Sequence, residues 1–235
     1  NNHQNFQYET KAVNIECKAV PFDHPIWILS TSGTTGKPKA ITHRTGGIIL
    51  EHFKALAIHQ NVKEKENYFW YSTTGWMMWN FALSSLLLGS TLCLYNGSPN
   101  YPDNGTLWRF ADRANINHFG HGASYYEGIL EKLPKELINH DLNALKTIGS
   151  TGSPLIHESF DYIYKNVKKD ISVASLSGGT DIVGCFIGGN PMSVVRRGEI
   201  QGPILGMDVH VYDENGKSVK NHKGELVCTQ SFPTM

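Results

Sequence analysis

The sequence has little cysteine, no long apolar run and no excess of either charge, and each shortage removes a class of protein. Four cysteines, Cys17, Cys93, Cys185 and Cys228, are scattered over 235 residues without a C-x-x-C pair. That spacing gives neither a disulfide framework nor a zinc cage, and it suits a reducing, cytoplasmic compartment. Lys plus Arg and Asp plus Glu are 21 each, so no net field draws the chain to nucleic acid. Lys168-Lys169 and Arg196-Arg197 are short enough to read as solvated surface. A membrane-spanning helix needs about 20 consecutive apolar residues. The nearest approach, Phe81 to Leu94, is interrupted by Ser84, Ser85, Gly89 and Ser90. It reads as a buried helix followed by a buried strand, so no membrane insertion is expected. Eleven histidines invite a metal reading, and His118 and His121 are three apart. Phe119-Gly120 between them suggests a strand end, where that spacing does not put both side chains on one face.

What remains is an ordinary globular composition, 40% hydrophobic with 23 glycines, enough for one sizeable core or two packed subdomains. Residues 1–22 are polar and read as a connecting segment. Ile26 to Leu29 reads as a short buried strand running into a glycine-rich loop. Ile48, Ile49, His52, Phe53, Leu56 and Ala57 recur at helical spacing, predicting an amphipathic helix from about Thr45 to His59. Strands and helices then alternate. Strands are expected at Tyr68–Ser72, Thr91–Tyr95, Asn117–Phe119, Lys146–Ile148 and Ile171–Ser175. The helices between them are Trp79–Leu88, Leu107–Ala114, Tyr125–Leu133 and Ile156–Val167. This alternation implies a layered α/β/α domain with a largely parallel sheet over residues 23–194. Residues 195–235 differ: Val209–Tyr212, an Asn215-Gly216 turn and Lys223–Thr229 predict the start of a smaller β-rich subdomain.

The densest chemistry lies at Ser30 to Lys39, S-T-S-G-T-T-G-K-P-K, between the first strand and the first helix. Gly33 and Gly36 let the backbone approach a ligand closely, and successive N–H groups can then cradle an anion. Thr31, Ser32, Thr34 and Thr35 add hydroxyl donors, and Lys39 can place a point charge on the same phosphates. A Walker A loop is excluded: the glycines are three apart, and Pro38 follows Lys37 where a magnesium-binding Ser or Thr would stand.

Ser30–Lys39 resembles the signature loop of the adenylate-forming superfamily, which includes acyl-CoA synthetases, peptide-synthetase adenylation domains and luciferases. Further segments match in the same order. Thr73-Thr74-Gly75-Trp76 resembles the aromatic segment beside the acyl pocket, and Ser150-Thr151-Gly152-Ser153-Pro154 the loop that holds adenine. Ser177-Gly178-Gly179-Thr180-Asp181 resembles the motif whose Thr meets the α-phosphate and whose acid holds magnesium, and Gly224-Glu225-Leu226 the strand that follows. T-T-G-W-M-M-W-N from Thr73, S-G-G-T-D-I from Ser177 and R-G-E-I-Q-G from Arg197 resemble the acetoacetate-activating branch most.

The resemblance implies an AMP-forming acid–thiol ligase that uses ATP, Mg2+ and coenzyme A. Acetoacetate would be its small-molecule substrate, with other short acids such as acetate or propionate, or a non-catalytic nucleotide-binding module, as alternatives. The loop, Gly152, Ser153, Pro154 and Ser177 to Thr180 would hold the nucleotide. Thr180 and Lys39 would act on the phosphates and Asp181 on the metal. Trp76, Met77, Met78, Thr151 and Gly178 would form the acid pocket. Acetate-activating members carry Trp at the position of Gly178, so its absence is expected to admit a longer acid, and Thr151 could hydrogen-bond a keto oxygen. The chain begins without Met and stops at Ser231-Phe232-Pro233-Thr234-Met235. A piece of a longer polypeptide is therefore expected, inactive without the family's ribose-binding Asp, hinge and C-terminal domain. Oligomeric state is not readable.

Overall fold

The computed structural model describes residues 16–31, 37–132 and 140–235. Its centre is a five-stranded, wholly parallel sheet in the order β4-β3-β5-β6-β7. The strands are β3 (Asn67–Trp70), β4 (Thr91–Leu92), β5 (His118–Gly122), β6 (Thr147–Thr151) and β7 (Ser172–Ser175). Ahead of it lie β1 (Pro25–Thr31), β2 (Lys39–Arg44) and α1 (Thr45–Lys54), the last continued by a π-helical turn, Ala55–His59. The crossovers carry α2 (Met77–Leu83), extended by a 3-10 turn at Ser84–Leu88, α3 (Thr106–Arg113), α4 (Ala123–Lys132) and α5 (His157–Tyr162).

The pleat sorts side chains to two faces. Phe69 and Phe119 point into a core with Trp108 of α3, Tyr126 and Ile129 of α4, and Phe160 of α5. Tyr68 and Trp70, one residue either side of Phe69, enter a second core with Ile48 of α1 and Met77, Met78 and Phe81 of α2. Helices thus cover both faces, giving the expected α/β/α layering. The Trp70 indole lies against Gly120 of β5 and Gly149 of β6. A Cβ at Gly120 would overlap it, and one at Gly149 would come within 2.8 Å of its Cη2. Small residues at those positions are what let a large ring seal this face.

Three parts differ from the sequence expectation. The strand at Ile26–Leu29 is not buried: Ile28 is 69% exposed, because among the described residues β1 pairs only with β2, antiparallel, outside the central sheet. Thr31 stands opposite Lys39 in the β1–β2 pair, and the helix begins only after β2. Beyond β7, a three-stranded antiparallel sheet is built from β8 (Ser177–Gly179), β9 (Gly184–Gly188) and β10 (Gly202–Pro203). β10 pairs with β9 across residue 195, and Ile204 and Met207 join the second core. The last hairpin is β11 (Val209–Tyr212) with β12 (Glu225–Cys228); Gly216, at φ +74°, turns the chain between them.

Candidate functional site

In a parallel sheet the carboxyl ends of all strands share one edge, and ligands of open α/β sheets bind beyond that edge near the point where strand order reverses. Here order reverses at β3, whose neighbours are β4 and β5. After β3 the chain reaches Trp76, in extended conformation at the start of α2. β5 ends at His121-Gly122 and β6 at Thr151, where Gly152 (φ +90°) turns the chain into Ser153 and Pro154. β7 ends at Ser175 and leads through Leu176 into β8.

These segments enclose a cavity of about 240 Å³. Trp76, Met77, Met78, Thr151 and Gly178, drawn from three separate segments, all line it, together with Gly152, Gly179 and Thr180. Sequence reading missed Phe81, Leu176, Gly184 and Cys185 in the same lining. Phe81 stands one helical turn beyond Met77 and Met78, a spacing that places it on their face. Burial pushes the Cys185 thiol up to about 12, so it is a neutral wall group and no nucleophile.

Two attributions change. A Cβ on Gly178 would overlap the Gly184 carbonyl oxygen and lie 2.6 Å from Cys185 Cα. A side chain there meets the β9 backbone first, so glycine at 178 is required by the β8–β9 contact. The Thr151 hydroxyl donates to the Leu176 carbonyl at 3.1 Å. Its proton is thus committed to the loop behind it, and toward the cavity the oxygen can only accept.

The turn after β8 presents Thr180, half-buried, and Asp181, exposed. His43 of β2 lies beneath it, 3% exposed, hydrogen-bonded to the Thr180 backbone and within the field of Asp181. Burial nonetheless holds its pKa below the usual imidazole value, with the Thr180 bond and Asp181 opposing. Glu51 of α1 packs against Gly184, and burial raises its carboxyl above the usual range despite a 2.7 Å pair with Lys54. Neither group stood out in the sequence, since only the register of β2 and α1 brings them under the turn.

A second cavity, about 440 Å³, shares Trp76, Thr151 and Gly152 with the first and is lined further by Tyr71, His121 and Ser124. His121 is stacked between Tyr71 (4.7 Å) and Tyr125 (4.1 Å), and burial lowers its pKa to about 4. His118, three residues earlier, belongs elsewhere: its Nε2 lies 2.7 Å from Glu66, which also pairs with Lys146.

Of the glycine-rich loop, Ser30 and Thr31 end β1 and exposed Lys39 opens β2. Ser32, Gly33, Thr34, Thr35 and Gly36 lie outside the described residues. Gly152, Ser153, Pro154 and Ser177 sit at the carboxyl edge as expected from their order. Among the described residues no group of three or more His, Cys, Asp or Glu could hold a metal ion. A lone exposed carboxylate such as Asp181 suits magnesium, which commonly takes one or two carboxylates and completes its octahedron with phosphate and water oxygens.

Known proteins match nearly the whole chain. The acetoacetyl-coenzyme A synthetase of Rhizobium meliloti (strain 1021) is 48% identical over 216 residues, 92% of this chain and 33% of that protein. The acetoacetyl-CoA synthetase of Mus musculus is 44% identical over 223 residues, 95% of this chain and 33% of its own length. The solved acetoacetyl-CoA synthetase from Streptomyces lividans superposes with a TM-score of 0.89 at 41% identity, covering 95% of this chain and 35% of that one. The chain thus spans about a third of the length of the relatives it matches. A family model described as AMP-binding enzyme matches residues 2–234, and the chain belongs to that family.

Proposed function

We propose that a protein of the relatives' length carrying this chain activates acetoacetate to acetoacetyl-CoA at the expense of ATP. In the first half-reaction a carboxylate oxygen attacks the α-phosphorus of ATP. The bond to pyrophosphate breaks, leaving acetoacetyl-AMP. In the second, the coenzyme A thiolate attacks the acyl carbonyl and AMP departs with the bonding electrons. The protein forms no covalent bond in either step, so its contribution is alignment and charge stabilisation.

The observation that carries this reading is the single cavity of about 240 Å³ that gathers Trp76, Met77, Met78, Thr151 and Gly178 beside Thr180. That volume lies below the roughly 300–1,000 Å³ typical of drug-sized ligand pockets, which favours a short acid over a long acyl chain. Met77, Met78, Phe81 and Leu176 give it an apolar wall. Thr180 would orient the α-phosphate, Lys39 and the glycine-rich loop the outer phosphates, and Gly152 to Pro154 the adenine. Asp181 would hold Mg2+, whose chemistry is to neutralise charge on the phosphates.

Acid-dependent ATP–pyrophosphate exchange in the complete protein tests this. Acetoacetate should give the highest kcat/KM in a panel with acetate and propionate. Preference for propionate or acetate would replace the substrate, and ATP binding without exchange for any acid would reduce the site to a nucleotide-binding module.

A further inference from the structure

One fully buried side chain joins the acid pocket to the phosphate-facing turn. His52, on α1, is 0% exposed. Its Nε2 lies 2.6 Å from the carbonyl oxygen of Val183. A carbonyl only accepts, so Nε2 carries the proton and Nδ1 is left with its lone pair. Nδ1 lies 2.6 Å from the Ser84 hydroxyl, whose one proton faces both this nitrogen and the Asn80 carbonyl at 3.1 Å, the nitrogen being the nearer acceptor.

Both partners belong to elements of the site. Ser84 directly follows α2, whose first residues, Met77 and Met78, line the cavity. Val183 closes the turn that presents Thr180 and Asp181, and it sits at φ +44°. A β-branched residue in the left-handed region is strained and persists only where its surroundings hold it. The His52 ring is itself held, edge-to-face by Phe81 at 5.0 Å and tilted against Trp27 of β1 at 5.6 Å. His59, seven residues on, provides a contrast. It is also buried, but it binds the Gly189 carbonyl and the Leu205 N–H, away from the turn.

Resting on the ligase reading above, we propose that His52 is a positioning residue that fixes the Thr180–Asp181 turn relative to the acid-pocket helix. The test uses His52→Leu, His52→Gln, Ser84→Ala and the control His59→Gln in the complete protein. Two readouts are taken: kcat and KM for pyrophosphate exchange, and hydrogen exchange of the peptide spanning 177–186. Removing one partner of a buried hydrogen bond is expected to lower kcat for His52→Leu about 10- to 100-fold, with the KM for ATP within about twofold. His52→Gln, whose amide N–H can reach the same carbonyl, should recover most of the loss. Ser84→Ala should lower kcat about 3- to 10-fold. Exchange at 177–186 should quicken in His52→Leu and Ser84→Ala but not in His59→Gln, even where the control melts earlier.

Wild-type kcat and wild-type exchange at 177–186 in His52→Leu would overturn the proposal. Should His52→Leu fail to fold, Ser84→Ala decides by the same two readouts, and wild-type kcat with wild-type exchange in that variant overturns it. Absence of acid-dependent turnover in the wild type would sink the ligase reading instead, leaving hydrogen exchange to judge His52.

Discussion

Replacing Gly178 by alanine is a small change with a large expected effect. The new methyl would overlap the Gly184 carbonyl oxygen and stand 2.6 Å from Cys185 Cα and 2.8 Å from the Gly184 carbonyl carbon. Comfortable carbon–carbon contacts are about 3.5–4.0 Å. These neighbours are backbone, so relief needs roughly an ångström of movement between β8 and β9, whose register is already irregular at Ser177/Gly178. Overpacking of this kind costs about 1–3 kcal/mol. With a urea slope of about 2 kcal/mol/M, the unfolding midpoint should fall by about 1 M. Thr180 is two residues away, and a misplacement of about 1 Å at a reacting group can cost on the order of 100-fold. The complete protein should therefore lose about that factor in kcat/KM. Gly179→Ala is the internal control: a Cβ there meets nothing nearer than Asp181 Oδ2 at 4.0 Å. It should stay within about 0.5 kcal/mol of wild type. Equal midpoints for the two variants would rule out a backbone clash at residue 178.

Three other perturbations follow from the same geometry. Burial lowers His52 and His121 from 6.5 to about 4 each. The unfolded chain then binds protons between those values that the native state does not, so stability is complete above pH 6.5 and lost as pH falls toward 4. Each group contributes about 3 kcal/mol, so urea midpoints measured from pH 7.5 to 4.5 should drop steeply, and less steeply in His52→Gln; identical slopes would contradict this. Gly120→Ala would drive a methyl into the Trp70 indole and should cost about 1–3 kcal/mol, read by denaturant melts and near-UV circular dichroism. Met78→Trp should fill the acid cavity, raising the KM for acetoacetate at least tenfold while leaving the KM for ATP within about twofold.

The layered fold was legible because amphipathic helices and strands alternate at their own periods; every strand of the parallel sheet falls within four residues of its expected place. β2 was missed because Lys39 to Arg44 has no apolar run: only His43 is buried, and the alternation that buries it is polar in composition. β8 was missed because Ser177-Gly178-Gly179 offers almost no side chain, and strand preference is expressed through side chains packing on a pleated surface. The cavity lining was legible in part. Trp76, Met77, Met78, Thr151 and Gly178 do meet, but no sequence reveals that the Cβ direction at 178 faces the Gly184 backbone. Nor does it reveal that the Thr151 proton is taken by a carbonyl 25 residues away. His43 falls in the strand that the sequence does not announce, and His52 reads as an ordinary member of a helix. Their importance comes from partners 131 or more positions distant in the chain, which only tertiary packing supplies.

In the proposed reaction the acyl group occupies the cavity bounded by Trp76, Met77, Met78 and Leu176. A crystal structure of the complete protein with a non-hydrolysable acetoacetyl-adenylate analogue tests it most directly. The acetoacetyl carbons should lie among those side chains, with the phosphate mimic against Thr180. Acyl density in the adjoining cavity beside Tyr71, His121 and Ser124 would contradict it.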